Sequence, residues 1–149
     1  MKRLPIILPI LMFIVVSCGS KTDEPLVRSE VLSALDKTVE EWNSGRLEGY
    51  LGCYDKTDSL RFLSDGTLTE GWDAFGNRLR NAYSDVRSMG VMRCFDLDVD
   101  VLSPESASAF GRWMLSGDTG RSWGFVTMIF RKTDNGWKIV HEHRTTIRH

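Results

Sequence analysis

An α+β domain is what this sequence predicts, with helices gathered in its first half and an antiparallel sheet in its second. Three observations carry that prediction. Between residues 26 and 83 apolar side chains recur at steps of three and four, the period of one helix face. Beyond residue 91 the period falls to two, the alternation of strands. The strand-like segments there are separated by only a few turn-forming residues, too few for a parallel crossover, so neighbours must run antiparallel.

The first residues read as a leader. Lys2 and Arg3 precede an apolar run from Leu4 to Val16, interrupted by Pro5 and Pro9. A span needs about 20 apolar residues, so this run fits a signal-peptide core instead. It ends in Val15-Val16-Ser17-Cys18, which resembles the bacterial lipobox. That resemblance implies a signal peptide over 1–17, cleavage after Ser17, and acyl chains on Cys18 that hold the protein at a membrane of the bacterial cell envelope. Residues 18–25 form the lipidated cysteine and a polar tether, and 26–149 form the folded domain. Removing Lys2 and Arg3 from the 19 basic residues leaves 17 against 20 acidic ones, so the mature chain is near −3. No basic block is present, which argues against nucleic acid as a partner.

Within the domain, Val27, Val31, Leu35, Val39 and Trp42 make a stripe along a helix over 26–43, stopped at Gly45. Leu47, Tyr50, Leu51 and Tyr54 predict a second helix over 47–54. Leu60 to Ser64 and Thr67 to Thr69 flank Asp65-Gly66, a favoured hairpin turn. Trp72, Phe75, Leu79 and Ala82 place a third helix over 71–83. Strands follow near 91–102, 106–116, 122–132 and 136–147.

Alternation assigns the strand faces. In the first long strand Phe95, Leu97, Val99 and Val101 are expected on the helix side, with Asp96, Asp98 and Asp100 in solvent and Cys94 facing away from the helices. The third strand is apolar on both faces, which predicts a cover on both. The helices supply one cover, and a second copy of the chain supplies the other, giving a homodimer through the outer sheet face. Cys53 and Cys94 either pair or stand as small buried apolar residues.

Two segments resemble a known family. Trp42-Asn43-Ser44-Gly45-Arg46-Leu47-Glu48-Gly49-Tyr50-Leu51 is similar to the junction of the first two helices in the nuclear-transport-factor-2-like superfamily, although Arg46 departs from the small acidic or amide residue common there. Asn135-Gly136-Trp137-Lys138-Ile139-Val140-His141-Glu142-His143 resembles the last strand of its SnoaL-like branch. The resemblance covers 26–147. It implies a cone: three helices packed on a strongly curved antiparallel sheet, with a hollow between them.

Strict alternation along the last strand puts Trp137, Ile139, His141, His143 and Thr145 on the helix side. His141 and His143 are therefore the candidate polar groups of the hollow, and the candidate general acid or base if it catalyses. Trp42, Tyr50, Tyr54, Phe62, Trp113 and Trp123 are expected to wall it beside them. The carboxylate-and-tyrosine set of the ketosteroid isomerases does not map onto this sequence. The two histidines lack a third ligand at a metal-site spacing, and alternating aspartates on a strand do not form a calcium loop, so no metal or cofactor is expected. Arg61 and Arg112 meet either an anionic ligand or a neighbouring carboxylate. Three readings follow: a domain binding a small apolar or aromatic molecule, a lyase, isomerase or cyclase using His141 or His143, and a dimeric assembly module with a filled cone.

Overall fold

The computed structural model describes residues 22–83, 85–118 and 120–147. The leader and Cys18 lie outside the described residues. Four helices and six strands follow one another as α1 (Glu24–Asn43), α2 (Leu47–Leu51), β1 (Arg61–Ser64), β2 (Thr67–Glu70), α3 (Trp72–Ala82), α4 (Val86–Met89), β3 (Val91–Ser103), β4 (Ser106–Gly117), β5 (Gly120–Thr133) and β6 (Gly136–Arg144). The strands form a single sheet in the order β2-β1-β6-β5-β4-β3. β3 to β6 make the expected antiparallel meander. The early hairpin joins it by running β1 parallel to β6, Arg61 beside His141 and Ser64 beside Arg144.

α1 begins where Asp23 accepts a hydrogen bond from the Leu26 N–H at 3.2 Å, with Pro25 in the first turn where no N–H is needed. Its buried stripe is Val27, Val31, Leu35, Thr38 and Trp42. At its end the Trp42 indole donates to the Met89 carbonyl at 3.1 Å. Asn43 brackets Met92, donating to its carbonyl at 2.9 Å and accepting from its N–H at 2.7 Å. Gly45 then turns the chain at φ 69°. The Trp-Asn-Ser-Gly run thus locks the end of the first helix to the start of the first long strand.

Several expectations are corrected. α2 stops at Leu51, because the backbone of residues 53–55 is captured by β6: Ile139 N–H donates to the Cys53 carbonyl at 3.0 Å and Asp55 N–H to the Ile139 carbonyl at 2.9 Å. α4 was not expected; four residues are too short to show a period, but Asp85 and Ser88 cap it reciprocally. In β3 a bulge opposite Gly111 sets two residues, Asp96 and Leu97, against one, with Asp96 at φ 52°. Faces therefore change there. Cys94 points to the helix side and Phe95 to the outer face, while Leu97, Val99 and Val101 stay inside as expected. Cys53 and Cys94 are free thiols, not a disulfide.

A second bulge decides the site. Ile129 pairs with His141 and Phe130 with Ile139, leaving Val140 as the extra residue. Trp137 and Ile139 are buried as expected, but beyond Val140 the inward positions are Glu142 and Arg144. His141 is half-buried and His143 exposed on the outer face. The expectation that both imidazoles enter the cone is overturned: one extra residue inverts every side chain after it. Trp123 is also corrected. It pairs with Met114 on the outer face, and the inward residues of β5 are Gly124, Val126, Met128 and Phe130.

Candidate functional site

The interior of the cone is built around charge. Glu142 is 2 % exposed, and Arg144 lies two residues on, on the same face of β6. The Arg144 Nε donates to Glu142 Oε1 at 2.7 Å, and its Nη2 contacts the same oxygen. The Tyr54 hydroxyl donates to Glu142 Oε2 at 2.5 Å, and Arg144 Nη2 donates to the Tyr50 oxygen at 3.3 Å. Since the Tyr54 proton is committed to the carboxylate, Tyr50 donates across the 2.7 Å separating the two hydroxyls. Guanidinium, two phenols and carboxylate close a ring of hydrogen bonds, and no buried side-chain polar atom among the described residues lacks a partner.

Burial pushes the Tyr50 and Tyr54 hydroxyls well above the ordinary phenol range, and the Glu142 charge pushes them further. Both remain protonated donors. Burial opposes the charge on Arg144, but Glu142 and the tyrosines outweigh it and hold the guanidinium protonated. Nearby, burial drives the Cys94 thiol up to about 12, so it stays a thiol at neutral pH.

The space enclosed by this ring, Trp113, Met128 and α1 is ≈ 20 Å³, about one water. The hollow expected between helices and sheet is therefore filled. Space opens instead at the mouth, where a cleft of ≈ 240 Å³ lies between β1, α3 and the ends of β4 and β6. Trp42, Tyr50, Phe62 and Trp113 supply aromatic wall, and Arg78 and Arg144 supply guanidinium groups. Arg144 lies 4.8 Å from the Phe62 ring centroid and 5.2 Å from that of Trp113, while Arg78 lies 5.4 Å from Phe62. Behind the wall, Trp42 meets Tyr50 edge-on at 4.9 Å and Tyr83 at 4.8 Å, fixing the indole in place. The Trp113 indole donates to the Thr145 carbonyl at 3.0 Å, which anchors the segment beyond β6.

Of the residues singled out in the sequence, Trp42, Tyr50, Phe62 and Trp113 meet at this cleft, and Tyr54 sits just beneath them in the ring. Trp123, His141 and His143 do not; they share the outer face. There His141 adjoins Arg61 on β1, and its pKa is lowered by partial burial and by the Arg61 and His143 charges. Arg61 and Arg112 meet carboxylates, Glu70 at 3.5 Å and Asp96 at 3.6 Å. The sequence reading missed Glu142, Arg144 and Arg78. The first two carry no signal before the bulge is known. Arg78 follows Phe75 by three residues, which puts it beside the buried face of α3.

Comparison with known proteins identifies the fold. A family model described as a SnoaL-like domain matches residues 31–146. The chain is similar to an NTF-2-like protein of unknown function from Shewanella oneidensis, at 27% identity and a TM-score of 0.75, covering 79% of this chain and 98% of that one. It is also similar in fold to a cystatin-like fold protein from Burkholderia xenovorans (15% identity, TM-score 0.69, 87% and 98% covered). A nuclear-transport-factor-2-like superfamily protein from Salmonella enterica gives 14% identity and a TM-score of 0.67, with 85% and 94% covered. No curated protein matches the chain. The chain therefore belongs to the SnoaL-like domain family of the nuclear-transport-factor-2-like superfamily.

Proposed function

We propose that this domain binds a small aromatic or apolar molecule at the mouth of the cone without transforming it, and is held at the bacterial cell envelope by lipid on Cys18. The observation that carries the binding reading is the aromatic cleft of ≈ 240 Å³ seated on a closed polar ring. A concave, mostly apolar surface with a few fixed polar groups is what small-molecule sites look like. Binding is favoured over catalysis because both Glu142 oxygens already accept hydrogen bonds and both phenols are held protonated. Neither phenol is available as a base near neutral pH. Titrating the purified protein with methyl 2-naphthoate, a neutral two-ring probe, tests the cleft. Quenching of tryptophan emission that saturates, and that Trp113→Ala weakens about tenfold, is expected from the loss of one aromatic wall. No saturable binding removes the proposal. Intact-mass spectrometry of the envelope fraction tests the anchor: the mature chain should begin at Cys18 and carry acyl chains, and an uncleaved or unacylated chain overturns it.

The outer sheet face favours a second reading alongside the first, association into a homodimer. Phe110 and Phe125 are 52 % and 38 % exposed, and their rings lie near-parallel with centroids 5.8 Å apart on the face that also carries half-buried Trp123 and Ile129. Apolar surface of this kind is characteristic of contact sites. A twofold pair of sheets would cover it, consistent with both faces of β5 being apolar.

A further inference from the structure

Arg78 stands apart from the other cations around the cleft. Arg144 is neutralised by Glu142 beneath it. Asp65, on the rim, is held by Thr146, whose N–H and hydroxyl each reach its carboxylate at 2.7 Å. Arg78 is half-buried on α3 and gives one hydrogen bond, from Nη1 to Thr69 Oγ1 at 2.9 Å. No carboxylate among the described residues pairs with it. A guanidinium carries five donors in a planar fork, so most of this fork is open to whatever fills the cleft.

We infer that the cleft selects an aromatic monocarboxylate, its carboxylate on the Arg78 fork and its ring against Phe62 and Trp113. The inference rests on the binding reading above and adds the ligand's charge and shape. The planar fork matches a planar carboxylate, where two parallel hydrogen bonds form. Phe62 lies under the guanidinium, so charged and apolar subsites are contiguous. Charge balance favours one negative charge over two. Asp65 on the rim and Glu142 beneath the cleft offset Arg78 and Arg144, so the surroundings are near neutral, and a dianion such as a phosphate monoester would leave its second charge unpaired. The volume, ≈ 240 Å³, lies below the usual range for drug-sized ligands and suits one or two rings.

Two probes of equal ring size separate this inference from the binding reading. On the purified protein, 2-naphthoate is expected to bind about tenfold more tightly than methyl 2-naphthoate, and in Arg78→Gln the ratio of acid to ester affinity is expected to fall to about one. In unsubstituted protein the Arg78 Nε–H resonance should move on adding naphthoate and stay put with the ester, a measurement that needs no variant to fold. Equal binding of acid and ester overturns the inference and leaves the binding reading standing. A preference for the acid that persists in Arg78→Gln, or an unmoved Arg78 resonance, overturns the assignment to Arg78. Binding of neither probe overturns both readings.

Discussion

Glu142 shows how much one side chain decides here. It is a carboxylate almost without solvent contact, and its charge is tolerable only because Arg144 and Tyr54 use both of its oxygens. Glu142→Ala strands the Arg144 guanidinium in the core and is expected to cost about 3–5 kcal/mol, read as a fall in the denaturation midpoint. Glu142→Gln keeps the shape and one acceptor and should cost less. His143→Ala, the next residue along the same strand but on the outer face, should leave the midpoint unchanged within about 0.5 kcal/mol. His141 provides the pH signature. Its folded pKa is depressed by partial burial and by Arg61, so the folded protein holds this proton less readily than the unfolded chain. Stability is therefore full above the ordinary histidine value of 6.5 and declines as pH falls through it towards the depressed value. His141→Gln should flatten that part of a denaturation-midpoint-against-pH curve, and an unaltered curve would remove histidine as its source. None of this was legible in residue types alone. The sequence displays His-Glu-His-Arg as four alternating polar residues, and only the backbone says which pair is dry.

At the level of elements, periodicity was informative where an element is regular and misleading where it is interrupted. The α1 stripe, the Asp65-Gly66 hairpin and the four-strand meander all appear as the period predicts, because burial on one face imposes it. The expected faces failed in β3 before Asp96 and in β6 beyond Val140, since a bulge leaves no reliable mark in a single sequence. The β1–β6 pairing was equally hidden: parallel neighbours far apart in sequence are chosen by tertiary packing. Trp42, Tyr50, Phe62 and Trp113 nonetheless line one cleft, since they belong to elements whose local pattern is intact. Gly124 gives an element-scale test. A Cβ there would overlap the Thr145 carbonyl, whose segment runs along β5 through Thr145 N–H to Phe125 O (3.0 Å) and Ile147 N–H to Trp123 O (2.8 Å). Gly124→Ala should push residues 145–147 off the strand, raising amide exchange at Thr145 and Ile147 and costing about 1–3 kcal/mol. Unchanged exchange at both amides would show that the segment accommodates the methyl group.

For the molecule as a whole, the outer face is where assembly is tested. Phe110→Lys together with Phe125→Glu replaces the stacked pair with charges, and sedimentation should then give a monomer where the unsubstituted protein gives a dimer. A monomer without any substitution at high concentration would end the dimer reading. The sheet also has two free margins, β2 and β3. β3 is 13 residues long; Asn43 occupies the N–H and carbonyl of Met92 near its start, and the edge beyond is a template on which another chain can add itself, hydrogen bond by hydrogen bond. The kink at Asp96 breaks that template in its middle, and Asp98 and Asp100 set negative charges along the part that follows. The bulge and the carboxylate of Asp100 therefore work against another strand adding along this edge.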